Sequence, residues 1–249
     1  MAKVAVFDSG LGSLSIIRPL RRSGLHIIYF ADQQSFPYGT KSSRQLGTII
    51  RHTIKKLDER FSPDIIVVAS NTPSLLLGPP RSPRIIGVLP PLRQAARLTS
   101  TKKIAVLATR SATRSRRLQH YIQAQVPKNI RTFKVDASPL VALVESGTFP
   151  SRKDFCRRKI AEVLGPAVAA GADVATLSST HLPFLLPLLE ESFPQVRFLD
   201  PAESVASKVI KSAGRKPARG KLEIFASGSP KSLERKLAML GIRKKVSRL

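Results

Sequence analysis

The chain has 249 residues, with 42 lysines and arginines against 16 aspartates and glutamates and a formal net charge of +26. Its hydrophobic content of 42% is typical of a globular protein, and no apolar run approaches the ~20 residues that cross a bilayer. The first residues, MAKVAVFDSG, become acidic and glycine-rich too early for a signal peptide. Composition therefore argues against a membrane protein and predicts a cytoplasmic one.

The cysteine content excludes two kinds of site. Cys156 is the only cysteine, so the chain forms no internal disulfide and no cysteine-based zinc site. It stands in the polar stretch SRKDFCRRK, which predicts a surface or half-buried position on a helix. A nucleophilic role would require a nearby base.

The positive charge raises the question of anionic partners. The basic residues are dispersed, there is no paired Cys/His spacing, and the chain has no tryptophan and three tyrosines for base stacking. The densest basic part is the tail, residues 208–249. Two interpretations stay open: a basic solvated surface, or weak, charge-driven binding of polyanions.

Strand and helix patterns alternate along the chain, which is typical of parallel sheets covered by helices. Three amphipathic or apolar-striped segments predict helices, at 43–60, 154–165 and 202–212. Runs rich in β-branched residues predict nine buried strands, the last of them LEIFAS: 3–8, 26–31, 64–70, 84–89, 103–109, 130–136, 173–179, 196–200 and 222–227.

Two sets of about four strands predict an α/β fold with two parallel-sheet lobes. The Pro90-Pro91 corner marks one boundary, and the chain is expected to return to the first lobe before LEIFAS. We therefore predict a first lobe of 1–93 plus 207–249 and a second of 94–206. The segment GRKPARG, 214–220, is predicted to be a flexible basic loop.

Polar residues follow several predicted strands, where parallel α/β sheets bind ligands. Asp8 and Ser9 end the first strand, although a turn with a helix cap would use the same residues. Tyr38 and Gly39 lie in a PYGT loop, which is a ligand loop or a plain turn.

Two further polar clusters close strands in the two predicted lobes. They are Ser70-Asn71-Thr72 and Ser179-Thr180-His181, and either alone could serve as helix-capping chemistry. His181 alone could be a satisfied core histidine, and Glu145, near a helix end, a solvated surface acid. Together the clusters indicate one shared ligand cleft between the lobes.

Eight segments in register carry a family resemblance that spans residues 3–241. The chain resembles the glutamate racemase branch of the aspartate/glutamate racemase superfamily in these segments: VAVFDSGLGSLSIIRPL, YFADQQSFPYGTKS, IIVVASNTPS, IIGVLPP, IAVLATRSAT, SPLVALVESG, LSSTHLPFLLP and FASGSP.

The resemblance implies two α/β lobes, the second inserted in the first, with the active cleft between them and with no cofactor and no metal. It implies interconversion of L- and D-glutamate, or of aspartate, by two bases on opposite faces of Cα; in the family, D-glutamate feeds peptidoglycan synthesis. A homodimer is among the assemblies expected. The implied substrate contacts are Asp8, Ser9, Tyr38, Gly39, Asn71, Thr72, Thr180 and His181, with Asp8, His181 and Glu145 also assisting proton transfer.

The chain departs from the family where the chemistry occurs. The family's two proton-transfer bases are cysteines, and the matching residues here are Ser70 and Ser179; a third family cysteine is Ser138. The helix after Ser70 also looks abbreviated by the GPP break at 78–80. Three hypotheses follow: a racemase with impaired or altered chemistry, a non-catalytic binder of a dicarboxylate with a regulatory role, or a nucleic-acid-associated protein on this fold.

Overall fold

A computed structural model describes residues 1–78, 82–147, 149–214 and 220–249. The chain forms two compact units: unit 1 is Met1–Val88 with Ala202–Leu249, and unit 2 is Leu89–Pro201. The predicted divisions, after residues 93 and 206, fall a few residues later in the chain than these. The predicted GPP break and GRKPARG loop lie largely outside the described residues.

The described residues contain ten strands and eleven α-helices, and one or two α-helices separate each strand from the next. The strands are β1 Lys3–Asp8, β2 His26–Ala31, β3 Ile65–Val68, β4 Ile85–Gly87, β5 Lys103–Ala108, β6 Arg131–Asp136, β7 Val174–Leu177, β8 Arg197–Leu199, β9 Lys221–Ala226 and β10 Val246–Arg248. The helices are α1 Ser13–Leu20, α2 Ser43–Phe61, α3 Asn71–Leu77, α4 Leu92–Leu98, α5 Arg110–Thr113, α6 Arg116–Gln125, α7 Ser138–Glu145, α8 Lys153–Ala169, α9 Leu186–Ser192, α10 Ala202–Ala213 and α11 Pro230–Met239.

Unit 1 is built on a six-stranded sheet in the order β10-β9-β2-β1-β3-β4, in which every pair is parallel. Its central strands β1, β2 and β3 are almost wholly buried, as continuous apolar runs predict for a sheet covered on both faces. The parallel sheets of unit 1 and unit 2 confirm the predicted α/β class.

Helix α2 shows how the sequence sets one layer of unit 1. Ser42 and Gln45 form a capping box that satisfies backbone N–H groups at its start. Leu46, Ile50 and Leu57 share its buried face and pack with the sheet residues in one core cluster. The predicted helix at 43–60 is confirmed.

The prediction that LEIFAS is the last strand is wrong, because β10 follows it. This strand pairs in parallel with β9, with Val246 opposite Ile224. Only Val246 of its three residues is buried, so the strand has no apolar run that sequence reasoning could detect. The sheet of unit 1 therefore has six strands, where the sequence predicted about four with LEIFAS added.

Unit 2 is built on a parallel four-stranded sheet in the order β6-β5-β7-β8. The chain moves toward one edge from β5 to β6 and toward the other from β6 to β7 to β8. Since such crossovers are right-handed, the helices of the first connection and those of the later two cover opposite faces. Helices α8 and α9 pack together, and α4 packs with α6.

Cys156 is fully buried, which corrects the predicted surface or half-buried position. It lies on the inner face of α8, in a core cluster with Ile160 and Leu164. Burial raises the pKa of its thiol, with a smaller opposing effect from Arg152. The polar neighbours in sequence occupy the outer face of the helix and conceal the buried position.

The carboxylate of Asp173 ties the loop before β5 to the start of β7. It accepts hydrogen bonds from Thr99 Oγ1 at 2.5 Å, from Ser100 N and Oγ at 2.7 Å, and from Thr101 N at 3.1 Å. Burial acts to raise the pKa of this carboxyl, but the hydrogen bonds from Thr99, Ser100 and Thr101 together hold it well below its ordinary value. The ionised form is therefore the one that the fold stabilises.

We expect Asp173→Asn to lower the free energy of unfolding at pH 7 by about 1–2 kcal/mol, because it loses charge-assisted hydrogen bonds. The folded-state pKa lies below the unfolded value of ~3.9, so the stabilisation is present above about pH 4 and is lost as the pH falls through the folded pKa. Urea unfolding at several pH values measures it. A gap between wild type and variant that stays constant down to pH 2 would contradict this assignment.

Candidate active site at the strand ends

Three neighbouring strands of unit 1 end in buried polar residues. Asp8, Asp32 and Ser227 follow from β1, β2 and β9, and each is less than a tenth exposed. Ser227 Oγ donates to Asp32 Oδ1 at 3.1 Å and accepts from Gln34 N at 3.1 Å. Sequence reasoning missed Ser227; its signal was its place at the end of a strand, in FASGSP.

Tyr38 is anchored in this group rather than in a plain turn. Its hydroxyl donates to Asp32 Oδ2 at 3.0 Å, and its N–H points to Ser9 Oγ at 3.5 Å. Burial, then the charges of Asp32 and Asp8, raise the pKa of Tyr38 far above its ordinary value. The phenol therefore stays protonated and acts as a hydrogen-bond donor. Gly39 follows it, half-buried in a single 3-10 turn.

Asp8 and Ser9 do not cap the helix that follows them. Asp8 Oδ1 accepts a hydrogen bond from Ser9 N at 2.7 Å, and both residues are buried. Helix α1 begins at Ser13, its capping residue is Gly12, and it has no side-chain cap. The alternative interpretation as a helix cap is therefore wrong for this pair. The hydroxyl of Ser13 is also buried and has no hydrogen-bond partner in the described part of the chain.

The end of β3 presents the polar groups of Ser70 and Asn71. Ser70 is extended and precedes α3, and its side chain makes no capping hydrogen bond. Asn71 is 4% exposed, yet neither atom of its amide has a hydrogen-bond partner among the described residues. An amide buried in this way costs about 1–3 kcal/mol unless a hydrogen-bond partner satisfies it. Thr72 lies beside it, half-buried.

Helix α3 is seven residues long and ends at Leu77, next to Gly78, the first residue of the predicted GPP break. The helix is held by Ser74, whose hydroxyl contacts the carbonyls of Ser70 at 2.7 Å and Val68 at 3.1 Å and accepts from Val88 N at 2.9 Å. One hydroxyl thus joins the ends of β3 and β4 to the turn that carries Ser70. The fit is close, because a Cβ on Gly87 would lie 2.9 Å from Ser74 Cβ and Oγ.

We expect Gly87→Ala to lower the free energy of unfolding by about 1–3 kcal/mol, because it displaces the Ser74 hydroxyl from a tightly packed contact. Gly165→Ala is the matched control: its Cβ would meet nothing within 4 Å, and it lies in α8, where alanine favours the helix. Urea unfolding of both variants checks the pair. A Gly87→Ala variant as stable as wild type would contradict the tight packing.

Unit 2 carries the second predicted cluster, directly after β7. Ser179, Thr180 and His181 are all buried. Ser179 Oγ lies 3.5 Å from His181 Nδ1, and His181 Nε2 lies 2.6 Å from Glu145 Oε1. Both side chains of the His181–Glu145 pair are 10% exposed, so the alternative of Glu145 as a solvated surface acid is wrong. The three residues form a serine–histidine–carboxylate series within one unit.

Ser138, the third serine that the resemblance matches to a cysteine, has a local structural role. It is the first residue of α7, and its hydroxyl accepts a hydrogen bond from Arg110 N at 2.9 Å. Its own N–H donates to Asp136 Oδ1 at 3.0 Å. Ser138 thus joins the ends of β5 and β6.

No group of three or more histidine, cysteine, aspartate or glutamate side chains in the described ranges is arranged to hold a metal ion. Among the helices described, none is long and apolar enough to cross a membrane.

Comparison with known proteins identifies the family. Residues 15–209 match the family described as Asp/Glu/Hydantoin racemase. The chain belongs to this racemase family. A glutamate racemase of Herpetosiphon aurantiacus is 32% identical over 240 residues, covering 91% of this chain and 93% of that one. Another, from Shewanella sp. strain MR-7, is 32% identical over 213 residues, covering 83% and 77% of the two chains.

Solved structures agree with this family assignment. The Escherichia coli glutamate racemase in complex with L-glutamate and the activator UDP-MurNAc-ala superposes with a TM-score of 0.85 at 25% identity, covering 100% of this chain and 98% of that one. The Thermus thermophilus glutamate racemase in complex with β-chloro-D-alanine gives 0.83 at 26% identity, covering 100% and 96%. The racemase family therefore accounts for both units of the chain.

Proposed function

We propose that this protein is a glutamate racemase-like amino-acid-binding protein whose racemisation is impaired. It would bind glutamate, or a similar small acidic amino acid, through the polar residues that follow the strands. The observation that carries the proposal is the Asn71 amide, which is buried with neither polar atom bonded to a described residue. An amide offers a donor to a carboxylate and an acceptor to an ammonium group, so an amino acid satisfies both atoms.

The impairment follows from the two serines. A thiol has a pKa of ~8.5, whereas a hydroxyl lies close to the value of ~15.7 for water. Forming an alkoxide at neutral pH therefore costs on the order of 10 kcal/mol more, at about 1.36 kcal/mol per pKa unit. A positioned general base contributes only ~10²–10⁴-fold to a rate, so neighbouring groups do not offset this difference twice. A serine hydroxyl still binds substrate by donating and accepting hydrogen bonds.

The two serines have different surroundings, which predicts one-sided chemistry. His181 Nδ1 lies 3.5 Å from Ser179 Oγ, and Glu145 holds the other side of the same imidazole at 2.6 Å. The imidazole is therefore oriented to take a proton from Ser179 or directly from a ligand. Ser70 has no capping hydrogen bond and no comparable imidazole bond in the described part of the chain. Residual exchange is expected on the Ser179 side only, and thus for one enantiomer.

The experiment incubates the protein with L-glutamate and D-glutamate separately in D₂O and follows the Cα–H signal by NMR, with thermal melts in parallel. We expect both enantiomers to raise the melting temperature, and slow exchange of one of them without racemisation. If neither enantiomer changes the melting temperature, the proposal that the protein binds glutamate is wrong. Rapid racemisation would refute the argument from serine chemistry.

A second function is favoured by the same replacement of both thiols: a non-catalytic binder of a dicarboxylate with a regulatory or partner-binding role. Such a binder would keep Asn71 and Tyr38 as ligand contacts, and it would need no base for proton transfer. The NMR experiment separates the two, because a ligand that raises the melting temperature without any exchange in either enantiomer selects this function.

A further inference from the structure

Charge is distributed unevenly within unit 2. Residues 89–135 contain eleven lysines and arginines and no aspartate or glutamate. Residues 136–201 contain eight aspartates and glutamates against six lysines and arginines. The net positive charge of unit 2 therefore comes wholly from residues 89–135.

The sheet topology turns this division along the chain into a division in space. Helices α4 and α6 pack together, whereas α8 and α9 pack together on the far side of the same sheet, because the crossovers reverse direction at β6. The acid-free segment thus supplies one helical layer, and the segment containing the acids supplies the other. We call the first layer the α4/α6 face and define it by its exposed cations: Arg93, Arg97, Arg114, Arg116 and Arg117.

The cations of the two layers differ in their partners. On α8, Arg157 pairs with Asp154 and Glu191, each at 2.8 Å, and Lys159 pairs with Glu162 at 2.6 Å. On the α4/α6 face, none of the five arginines has an ion-pair partner among the described residues. Lys134 adds to the same face, because its Nζ donates to Gln119 of α6 at 3.1 Å.

The placement of two of these arginines is unfavourable for the helix that carries them. Arg116 and Arg117 directly follow Ser115, the N-cap of α6, and the first turn contains no acidic residue. The start of a helix carries a partial positive charge, so cations there lower helix stability. An anion bound at this point would offset that cost.

We propose that the α4/α6 face binds the phosphate backbone of double-stranded nucleic acid without reading its sequence. Unpaired guanidinium groups match phosphates in geometry and charge. Single strands require exposed aromatic platforms for the bases. On this face Tyr121 is half-buried with its hydroxyl bonded to Pro90 O at 3.3 Å, so the face offers charge without stacking. This proposal does not depend on the amino-acid site.

The test measures binding of a short labelled DNA duplex by fluorescence anisotropy at 50 to 200 mM salt. The variant neutralises the face by Arg93→Gln, Arg116→Gln and Arg117→Gln. The matched control, Arg157→Gln, Arg158→Gln and Lys159→Gln, removes the same charge from α8. We expect wild type to bind in the range of ~10⁻⁴–10⁻⁶ M, with affinity falling steeply as salt rises.

The face variant should lose about tenfold or more in affinity, and its salt slope should fall by about three, since each phosphate contact contributes ~0.9. The control should stay within about twofold of wild type. The melting temperature of the face variant should be unchanged or higher, because two cations leave the start of α6. Should the triple variant fail to fold, Arg97→Gln with Lys134→Gln replaces it.

Four results would overturn the proposal. Equal losses in the face and control variants would mean that binding follows net charge alone. Equal affinity for the matching single strand would remove the preference for duplex. Tighter binding to vesicles of anionic lipid than to the duplex would assign the face to a lipid surface. Absence of any duplex binding at 50 mM salt would remove the interaction altogether.

Discussion

Replacing Ser70 and Ser179 together by cysteine is expected to raise the rate of Cα-proton exchange of glutamate by ~10³-fold or more over wild type. The thiols need only a modest pKa shift to act as bases, whereas hydroxyls would need about 7 units more. The measurement is loss of the Cα–H NMR signal in D₂O for both enantiomers, together with appearance of the opposite enantiomer by circular dichroism.

Three single variants sharpen this result. Ser70→Cys and Ser179→Cys should each favour exchange of a different enantiomer, because the proposed two-base mechanism uses one base for each enantiomer. Ser138→Cys is the matched control, since Ser138 accepts a hydrogen bond from Arg110 N at the start of α7. It should give no gain in exchange. A double variant that binds glutamate but remains inert would show that the site lacks more than its two thiols.

The second large effect concerns stability. His181→Ala should lower the free energy of unfolding by about 1–3 kcal/mol, because it removes the imidazole that is hydrogen-bonded to Glu145 Oε1 at 2.6 Å where both side chains are nine-tenths buried. Chemical denaturation at pH 7 measures the loss. Glu145→Gln should cost less, since an amide keeps the size of the side chain and one acceptor for the imidazole.

Lys55→Ala supplies the surface control for this experiment. Lys55 and Glu59 form an exposed i,i+4 pair at 3.6 Å on α2, and such pairs contribute about 0.3–0.5 kcal/mol. The difference between the losses of unfolding free energy in His181→Ala and in Lys55→Ala isolates the effect of burial. A His181→Ala variant as stable as Lys55→Ala would show that the His181–Glu145 pair is solvated in solution.

Much of this architecture follows from patterns of two kinds. Continuous β-branched runs located nine strands, and the positions directly after β1, β3 and β7 contained the polar residues that the structure buries there. These patterns are local, so a single sequence reveals them. The family resemblance then identified which of those polar residues stand where thiols are expected.

Other features depend on pairing across long stretches of chain. Strand β10 has one buried residue and forms only because β9 offers it an edge. Ser227 meets Asp32 across 195 positions, and Glu145 meets His181 across 36. Neither partner can be recognised from its own neighbours in sequence. Cys156 was misjudged for a related reason, because its flanking charges describe only the outer face of α8.

The interrupted layout of unit 1 has a consequence for synthesis. All four strands of unit 2 lie between residues 103 and 199, so that unit can complete its sheet while the chain is still being made. The sheet of unit 1 must wait for β9, which pairs with β2. Until then one edge of β2 is without its neighbour and open to pairing with other chains. The Asp32–Ser227 contact is thus among the last parts of the molecule to form, and nascent chains halted before β9 should depend most on chaperones.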